Sequence, residues 1–315
     1  MARNKVRRPW VDYSAYAAVR LIVAFAQMLT ISQSYALARG LAWIMYTVDK
    51  RHRMVGMENL KHAFGDELND DRRDLIVRGV YLHFCRMIME MLHLPRKIHL
   101  ENWRQYVQLA GQGAVLDRLL DGEAMIFLSG HYGNWEMAGY LFGLYGYPTY
   151  SVARTLDNPY LENYLRSFRE RTGQHLIPKK GGYDQMLEVL QNGRVLSMLS
   201  DQDAGPRGVF VDFFNRPAST HKAIALLAIE HKTPIVVGVA RRLGDTFSYE
   251  IRCEEIIEPS ELNGSTDDVR LLTQRYTSAL ERLIRQDPTQ YLWLHRRWKH
   301  EPPKKRGSVS QAQEA

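Results

Sequence analysis

Short apolar and β-branched runs alternate with helical segments from Gly122 onward, and no other feature constrains the fold as strongly. Four of these runs predict buried strands: Met125–Ser129, Tyr150–Ala153, Val195–Leu199 and Ile235–Val239. Helical segments precede the last two runs, and two more are predicted over residues 135–144 and 160–171. Alternating strands and helices are typical of α/β proteins. We therefore expect a mixed, mostly parallel central sheet flanked by helices.

The chain divides into segments of different character. Residues 1–50 form an apolar N-terminal segment with cationic flanks. Residues 51–121 form a helical part, in which the helical periodicity runs from Arg51 to Leu94 and we expect Pro95 to end it. Residues 122–300 carry the α/β pattern, so the predicted main domain covers 51–300. Residues 301–315 contain two prolines and a basic cluster, which predicts a disordered tail.

The N-terminal segment predicts an association with membranes. Its apolar stretch runs from Val11 to Val48, after Arg3, Lys5, Arg7 and Arg8 and before Lys50, Arg51 and Arg53. The longest uncharged run, Leu21–Ala38, has 18 residues, the short end of what spans a bilayer. A spanning helix and a buried amphipathic core helix both remain open. A helix lying in the interface of an anionic membrane fits the cationic flanks best.

Composition limits the function. Lysine and arginine total 42 against 35 acidic residues, a net charge of +7 that favours a polyanionic partner. The cysteines, Cys85 and Cys253, are too few for a disulfide framework or a zinc site. The sequence has no Gly-rich phosphate loop, dinucleotide fingerprint or metal-ligand set, so we expect no cofactor and no metal. It also lacks a nucleic-acid module, so nucleic acid is not the expected partner.

The candidate catalytic residues are His131 and Glu136. They follow the predicted strand Met125–Ser129 and open the next helix, at the carboxyl end of a strand, where α/β folds place their sites. Glu136 is expected to accept from one ring nitrogen, which leaves the other as a general base. A helix-capping histidine with a first-turn glutamate is the alternative. His62 and Glu67 have the same spacing without a preceding strand.

Charged residues elsewhere supplement this pair. Arg154 follows a predicted strand and is a candidate for binding phosphate, with a surface ion pair to Asp157 as the alternative. Asp201 follows the strand Val195–Leu199, so we expect it near His131, either orienting a basic residue or the acceptor, or capping a turn. The remaining basic candidates for the acceptor site are Arg169, Arg171, Lys179, Lys180 and Arg207, and a solvated helix face is the alternative for Arg169 and Arg171.

Several motifs resemble one enzyme family. His131-x4-Glu136 resembles the H-x4-[DE] motif of the glycerolipid and lipid A acyltransferases. Arg154 with Asp157-Asn158-Pro159, and Asp201-x-Asp203-x-Gly205-Pro206 followed by residues 209–214, resemble two further blocks. Asn59-Leu60 and the closing run from Trp293 to Lys299 also match, although Asn215 replaces the usual glycine. The chain is similar to the bacterial lipid A biosynthesis (Kdo2-lipid IVA) lauroyl/myristoyl acyltransferases.

The resemblance implies a membrane-associated acyltransferase on the cytoplasmic face of the inner membrane. It would transfer a fatty acyl chain from an acyl carrier protein to a hydroxyl of a lipid A precursor. The resemblance also implies acceptor-binding roles for Asn158 and Asp203. Because no Gly-x-Ser-x-Gly elbow is present, we expect direct attack without an acyl-enzyme, the oxyanion being held by main-chain N–H groups around Gly133.

Three alternatives remain. The acceptor could instead be a lysophospholipid or another glycolipid such as a phosphatidylinositol mannoside. A non-enzymatic basic protein that binds nucleic acid or membrane would not depend on His131. A thioesterase-like hydrolase would consume the thioester at the same rate without an acceptor.

Overall fold

The computed structural model describes residues 8–262 and 264–303. The helices are α1 (Pro9–Met28), α2 (Ile31–Val48), α3 (Lys50–Phe64), α4 (Asp70–Lys97), α5 (Gly113–Leu120), α6 (Trp135–Leu144), α7 (Pro159–Glu170), α8 (Tyr183–Gln191), α9 (Ala223–His231) and α10 (Asp268–Gln286). The strands are β1 (Val107–Ala110), β2 (Met125–Ser129), β3 (Thr149–Ala153), β4 (Gln174–Pro178), β5 (Val195–Leu199), β6 (Val209–Phe213), β7 (Arg216–Thr220), β8 (Ile235–Arg242) and β9 (Tyr249–Ile257).

Seven strands form one sheet in the order β1-β9-β8-β2-β5-β3-β4. The pairs β2–β5, β2–β8, β3–β5, β3–β4 and β1–β9 are parallel, and β8–β9 is antiparallel. The protein is therefore α/β with a mixed, mostly parallel central sheet flanked by helices, as the sequence predicts.

Two buried clusters enclose the sheet. Along β2, Ile126 and Leu128 belong to one cluster, while Met125 and Phe127 belong to the other. This split follows from the alternation of side chains along a strand, and burial on both faces explains the continuous apolar run. Helices α8, α9 and α10 cover the first face, and α5 and α6 contribute to the second. The strand ends are therefore the part of the sheet left for a site.

The sequence did not predict every strand. Strands β1, β4 and β9 complete the sheet, and β6 and β7 form a separate antiparallel hairpin. The two-residue turn of this hairpin places Phe214 and Asn215 at φ values of 52° and 56°. Such tight hairpin turns require positive φ at both positions, and asparagine tolerates this region well. This explains why Asn215 can stand where the resembling family has glycine.

The N-terminal apolar stretch forms two helices. They separate at Leu29 and Thr30, and Thr30 starts α2 with a capping box to Gln33. Ala38 and Ala42 of α2 are buried in the larger cluster, so α2 packs against the body of the protein. Among the described residues, no helix combines the length and the hydropathy that a membrane crossing requires.

Both N-terminal helices also expose apolar side chains. The exposed residues include Leu21, Ile22, Phe25 and Met28 on α1, and Leu41, Trp43, Ile44, Met45 and Val48 on α2. Leu21, Phe25 and Met28 are four and three residues apart, as are Leu41, Met45 and Val48, so each set lies on one outer face of its helix. The predicted cations Arg3, Lys5 and Arg7, and the predicted disordered tail after residue 303, lie outside the described residues.

Helix α4 corrects one predicted boundary. We expected Pro95 to end the helical part, but Pro95 lies inside α4, which continues to Lys97. Proline costs most in a helix interior, where it removes a hydrogen bond and crowds the preceding turn, and here one short turn follows it. The buried side chains of Leu94 and Ile98 hold that turn against the core.

Candidate active site

Adjacent parallel strands bring His131 and Asp201 together. His131 follows β2 after one glycine, and Asp201 follows β5 after Ser200. Because β2 and β5 are neighbours in register, both residues leave the sheet at the same edge. The structure thus places Asp201 beside His131, as expected from the strand ends.

Two glycines shape the loop that carries His131. A Cβ atom on Gly130 would lie 2.8 Å from the side chain of Leu280, so α10 packs directly on this position. Gly133 has a φ of 65°, and a Cβ atom there would lie 2.2 Å from the carbonyl oxygen of Ala240. Gly133 is therefore required for both conformation and space, while a side chain at Gly130 would have to displace the Leu280 side chain.

Asp201 holds both the backbone and the ring of His131. The His131 backbone N–H donates to Oδ2 of Asp201 over 2.8 Å, and His131 Nδ1 lies 2.8 Å from Oδ1. The Asp201 side chain is 3% exposed, against 21% for His131. A carboxylate at Nδ1 fixes the proton on that nitrogen and leaves the Nε2 lone pair free. This arrangement suits a general base held by a buried acid.

Burial and charge act in opposite directions on this pair. Burial lowers the pKa of His131, but the negative charge and hydrogen bond of Asp201 raise it above its ordinary value of 6.5. Burial raises the pKa of Asp201, but His131 lowers it below the ordinary 3.8. The carboxylate is therefore ionised at neutral pH and stabilises a proton on the imidazole.

Glu136 does not contact the ring as we had expected. Its carboxylate binds the guanidinium of Arg169 on α7 through two hydrogen bonds, one of them 3.0 Å from Arg169 Nε to Oε2. The ring nitrogen assigned to Glu136 instead bonds Asp201. The first turn of α6 directs Glu136 towards α7, while β5 brings the carboxylate of Asp201 to the His131 ring. Arg169 therefore belongs to a buried ion pair beside the candidate site.

The main-chain donors expected at Gly133 are also occupied. The Gly133 N–H donates to the carbonyl of Gln290 over 3.1 Å, and the Asn134 N–H donates to the carbonyl of Ala240 over 2.7 Å. These bonds hold the loop, so neither group is free for an oxyanion. The side chain of Asn134 caps α6 through the N–H of Met137.

Arg154 and Asn158 lie at the end of β3. The side chain of Arg154 is 82% exposed and lies 3.6 Å from Asp157, the surface ion pair that was its alternative interpretation. Asn158 caps α7 by accepting from Tyr160 and Leu161, and its amide donates to the carbonyl of Asp12 on α1. The structure therefore brings neither side chain into contact with His131.

Asp203 organises the loop after β5. Its Oδ2 lies 2.8 Å from Nδ1 of His300, and its backbone N–H donates to Nε2 of His295 over 3.2 Å. Burial lowers the pKa of His295, which keeps this ring neutral. Arg207 and Arg171 are exposed, on the loop after β5 and at the end of α7 respectively.

A buried charged cluster beneath the loop was missed by the sequence analysis. Glu90 of α4 accepts from Arg242 of β8 over 2.9 Å and from the side chain of Asn134 over 3.0 Å. His83, also on α4, lies 3.0 Å from Arg242 and 3.1 Å from the carbonyl oxygen of Gly133. Burial and the charge of Arg242 lower the pKa of His83, so the ring is neutral. His83 and Glu90 are seven residues apart and therefore lie on one face of a helix, and this spacing is the sequence pattern that could have indicated the cluster.

We expect Glu90→Ala to lower the free energy of unfolding by about 3–5 kcal/mol, because it leaves the guanidinium of Arg242 buried without its carboxylate. Chemical denaturation measures this change. Asp267→Ala is the control, since it breaks an exposed ion pair with Arg270 and should cost far less. Equal losses in the two variants would contradict the role assigned to burial.

A cavity of about 90 Å³ lies next to the Glu136–Arg169 pair, between α6 and the sheet. Its lining is mixed, with apolar side chains such as Phe127, Phe142 and Leu199 and polar ones such as Ser151, Gln174 and Ser197. A second cavity of about 40 Å³ shares Ala138 and Phe142 with it and is almost entirely apolar. Within the described part of the chain, no group of three or more His, Cys, Asp or Glu residues could hold a metal ion.

Comparison of this chain with known proteins identifies the class of enzyme to which the fold and the site belong. The family described as bacterial lipid A biosynthesis acyltransferase matches residues 3–300. The lipid A biosynthesis lauroyltransferase of Escherichia coli K12 is 25% identical over 300 residues, covering 94% of this chain and 93% of its own. A phosphatidylinositol mannoside acyltransferase of Mycobacterium tuberculosis is 27% identical over 221 residues, covering 68% of this chain and 67% of its own.

The protein is therefore an acyltransferase, as the sequence motifs predicted. The chain belongs to the bacterial lipid A biosynthesis acyltransferase family. A lipid A biosynthesis acyltransferase of Haemophilus influenzae is a further relative, 23% identical over 281 residues, with 87% of this chain and 86% of that protein covered.

Proposed function

We propose that this protein transfers a fatty acyl chain from acyl carrier protein to a hydroxyl of a lipid A precursor, with His131 as general base. The observation that carries the proposal is the His131–Asp201 pair at the strand ends. A neutral imidazole with its proton fixed on Nδ1 is the form that accepts a proton at Nε2. Asp201 takes the orienting role that the sequence analysis gave to Glu136.

The reaction follows from this geometry. Nε2 of His131 removes the proton of the acceptor hydroxyl as its oxygen attacks the thioester carbonyl. The tetrahedral intermediate collapses by breaking the carbon–sulfur bond, and the imidazolium returns its proton to the leaving thiolate. The products are an ester and a free thiol. The positive end of α6, which begins four residues after His131, is the proposed source of oxyanion stabilisation.

The two cavities that share Ala138 and Phe142 are the proposed site for the acyl chain. Their aromatic and aliphatic side chains, which make up almost all of the smaller cavity, suit a hydrocarbon, and the larger cavity borders the Glu136–Arg169 ion pair. Glu136 then contributes by holding Arg169 at the mouth of the cavity, which makes it a positioning residue. Its removal should affect donor binding more than proton transfer.

The polar acceptor is proposed to approach from the exposed edge of the sheet. Arg154 and Arg207 are exposed cations on loops that follow β3 and β5, where they can bind acceptor phosphates. Asn158 and Asp203 would act there by holding their loops in place.

Membrane association is proposed to use the outer faces of α1 and α2. Apolar side chains such as Leu21, Phe25 and Trp43 are more than half exposed there. Arg39 and Lys50 supply positive charge on and next to α2. An apolar face with cationic residues at its margins binds anionic lipid surfaces. The proposed location is the cytoplasmic face of the inner membrane, where acyl carrier protein is available.

We expect the double variant Phe25→Glu/Trp43→Glu to bind vesicles of phosphatidylcholine and phosphatidylglycerol at least about tenfold more weakly, because each change removes a large apolar contact. Vesicle sedimentation at low salt measures the change. Leu120→Glu on α5 is the control, since Leu120 is 73% exposed but lies on another element. Wild-type protein that stays in the supernatant would contradict membrane docking.

The proposed function is tested with purified protein, radiolabelled acyl carrier protein thioester and a lipid A precursor in mixed micelles. We expect one acyl mass to be added to the precursor by mass spectrometry, and thioester consumption to require the acceptor. Thioester loss at the same rate without acceptor would identify a hydrolase and contradict the proposal.

Acylation of a phosphatidylinositol mannoside is the second candidate. The similarity to the mycobacterial relative, which is as strong in identity as that to the lauroyltransferase, favours including it. The same assay with a phosphatidylinositol mannoside as acceptor separates the two by their kcat/KM values. A higher value for the mannoside would replace the first candidate with the second.

A further inference from the structure

A cavity of about 730 Å³ lies between α1, α7 and the last turn of α4. None of His131, Glu136 and Asp201 is among its lining residues. We call this cavity the α1–α7 cleft. Its polar and aromatic lining includes Tyr13, Tyr16, Arg20, Tyr160, Tyr164 and Arg171.

Four tyrosines surround the cleft as one cluster. The ring of Tyr13 lies 5.5 Å from that of Tyr160, and the ring of Tyr16 lies 6.2 Å from that of Tyr164. A tyrosine offers an apolar face and a hydroxyl that donates or accepts a hydrogen bond. A sugar presents both aliphatic C–H groups and hydroxyls, so this cluster suits a carbohydrate.

The cleft has an excess of positive charge. The guanidinium of Arg20 lies 4.9 Å from the ring centre of Tyr164, and it donates to the hydroxyl of Tyr16 over 2.8 Å. Neither aspartate nor glutamate lines the cleft. Within residues 8–262 and 264–303, neither Arg20 nor Arg171 has a carboxylate partner, whereas Arg169 is paired with Glu136. Two arginines without an acid favour an anionic ligand.

The cleft also lies at a suitable place for a lipid headgroup. Helix α1 forms one wall with Tyr13, Tyr16 and Arg20, and further along the same helix it exposes Leu21, Ile22, Phe25 and Met28. A lipid whose chains stay in the membrane could therefore place its headgroup between α1 and α7. Helix α7 also carries Arg169, which binds Glu136 at the candidate active site.

We propose that the α1–α7 cleft binds the phosphorylated sugar headgroup of the acceptor glycolipid, with Arg20 and Arg171 on the phosphate and the tyrosines on the sugar. A guanidinium binds phosphate oxygens through two parallel N–H donors. The inference rests on the proposed function for the identity of the lipid. The cleft would hold the acceptor at the membrane surface. One of its walls is α7, whose Arg169 also lines the cavity proposed for the acyl chain.

The test measures binding without a donor. Phosphatidylcholine vesicles carry either a lipid A precursor, which is a phosphorylated disaccharide lipid, or phosphatidylglycerol at equal charge. We expect Arg20→Gln/Arg171→Gln to weaken the precursor-dependent part of vesicle binding at least about tenfold, since two charged hydrogen-bond donors are lost. Binding to phosphatidylglycerol vesicles should change far less. Equal loss on both lipids would reduce the cleft to a general anionic surface and overturn the proposal.

Arg104→Gln is the matched control. Arg104 is exposed and stacks 4.5 Å from the ring centre of Trp103, so its loss removes a stacked cation outside the cleft. This variant should bind precursor vesicles as the wild type does. A loss equal to that of the double variant would contradict a specific site.

Kinetics separate this inference from the proposed function. The double variant should raise the KM for acceptor at least about tenfold, with kcat and the KM for donor unchanged. A wild-type acceptor KM in an active double variant contradicts the cleft alone. Precursor binding that depends on both arginines, in a protein that transfers no acyl group, supports the cleft and contradicts the proposed function. The folding of all variants is compared by thermal melts.

A Tyr164→Phe variant tests the sugar contact while leaving both arginines in place. It should bind precursor vesicles more weakly than the wild type, and unchanged binding would contradict the role of Tyr164.

Discussion

His131→Ala is expected to lower kcat for acyl transfer by about 10²–10⁴-fold, the contribution of a positioned general base. The acceptor hydroxyl is a weak nucleophile until its proton is removed, and Nε2 of His131 is the proposed proton acceptor. The measurement is initial transfer rate at saturating donor and acceptor, with folding checked by thermal melts.

The chain supplies a control for this variant in His62. His62 and Glu67 have the same spacing as His131 and Glu136, but His62 lies on α3 and its Nε2 is 3.5 Å from Glu58. His62→Ala should leave kcat almost unchanged. A folded His131→Ala protein with more than about a tenth of wild-type kcat would overturn the mechanism, because even the smallest expected loss is larger.

Asp201→Asn is expected to lower kcat by a similar factor, about 10²–10⁴-fold, although the imidazole remains. An asparagine amide facing Nδ1 donates a hydrogen bond there, which moves the ring proton to Nε2. The base is then protonated on the nitrogen that must accept the substrate proton. Initial rates of transfer measure the loss.

Glu136→Gln is the comparison for Asp201→Asn. Its carboxylate bonds Arg169, so this change leaves the tautomer of His131 as it is. We expect a smaller loss of kcat and a larger rise in the KM for donor, because Arg169 borders the cavity proposed for the acyl chain. The opposite order, with Glu136→Gln the more damaging variant for kcat, would return the orienting role to Glu136.

Local patterns were sufficient for the central strands and helices. The run Met125–Ser129 is buried at every position because both faces of β2 are covered, and its four apolar residues followed by Ser129 and a glycine let the sequence alone predict its bounds. Strand β9 was not predicted because its intermediate positions carry arginine and glutamate, which form ion pairs such as Arg275–Glu255 with α10. Its antiparallel direction depends on pairing with β8, a long-range contact that local patterns do not encode.

The candidate site was also only partly predictable from the sequence. His131 was predictable because a strand, a glycine and a helix follow each other in the sequence. The position of Asp201 near His131 was also predictable, because it follows another buried strand. Its hydrogen bond to the His131 ring was not, because Asp201 is 70 residues away and the order β2-β5 is set by the whole sheet. Glu136 has the right spacing in sequence, yet helical geometry directs it to Arg169. The Glu90–Arg242 cluster joins residues 152 apart, so only the folded structure reveals it.

The pH dependence of kcat/KM tests the central claim, that His131 is the base and Asp201 its partner, most directly. A general base must be deprotonated, so activity falls as pH drops through the pKa of His131. In the wild type this acid limb should lie above pH 6.5, because Asp201 outweighs the effect of burial and raises the pKa. Asp201→Asn removes that negative charge, while burial still lowers the pKa of His131. The acid limb should therefore move to lower pH by at least about one unit. Glu136→Gln should move it far less. An acid limb that stays in place in Asp201→Asn, or that moves only in Glu136→Gln, would contradict the account.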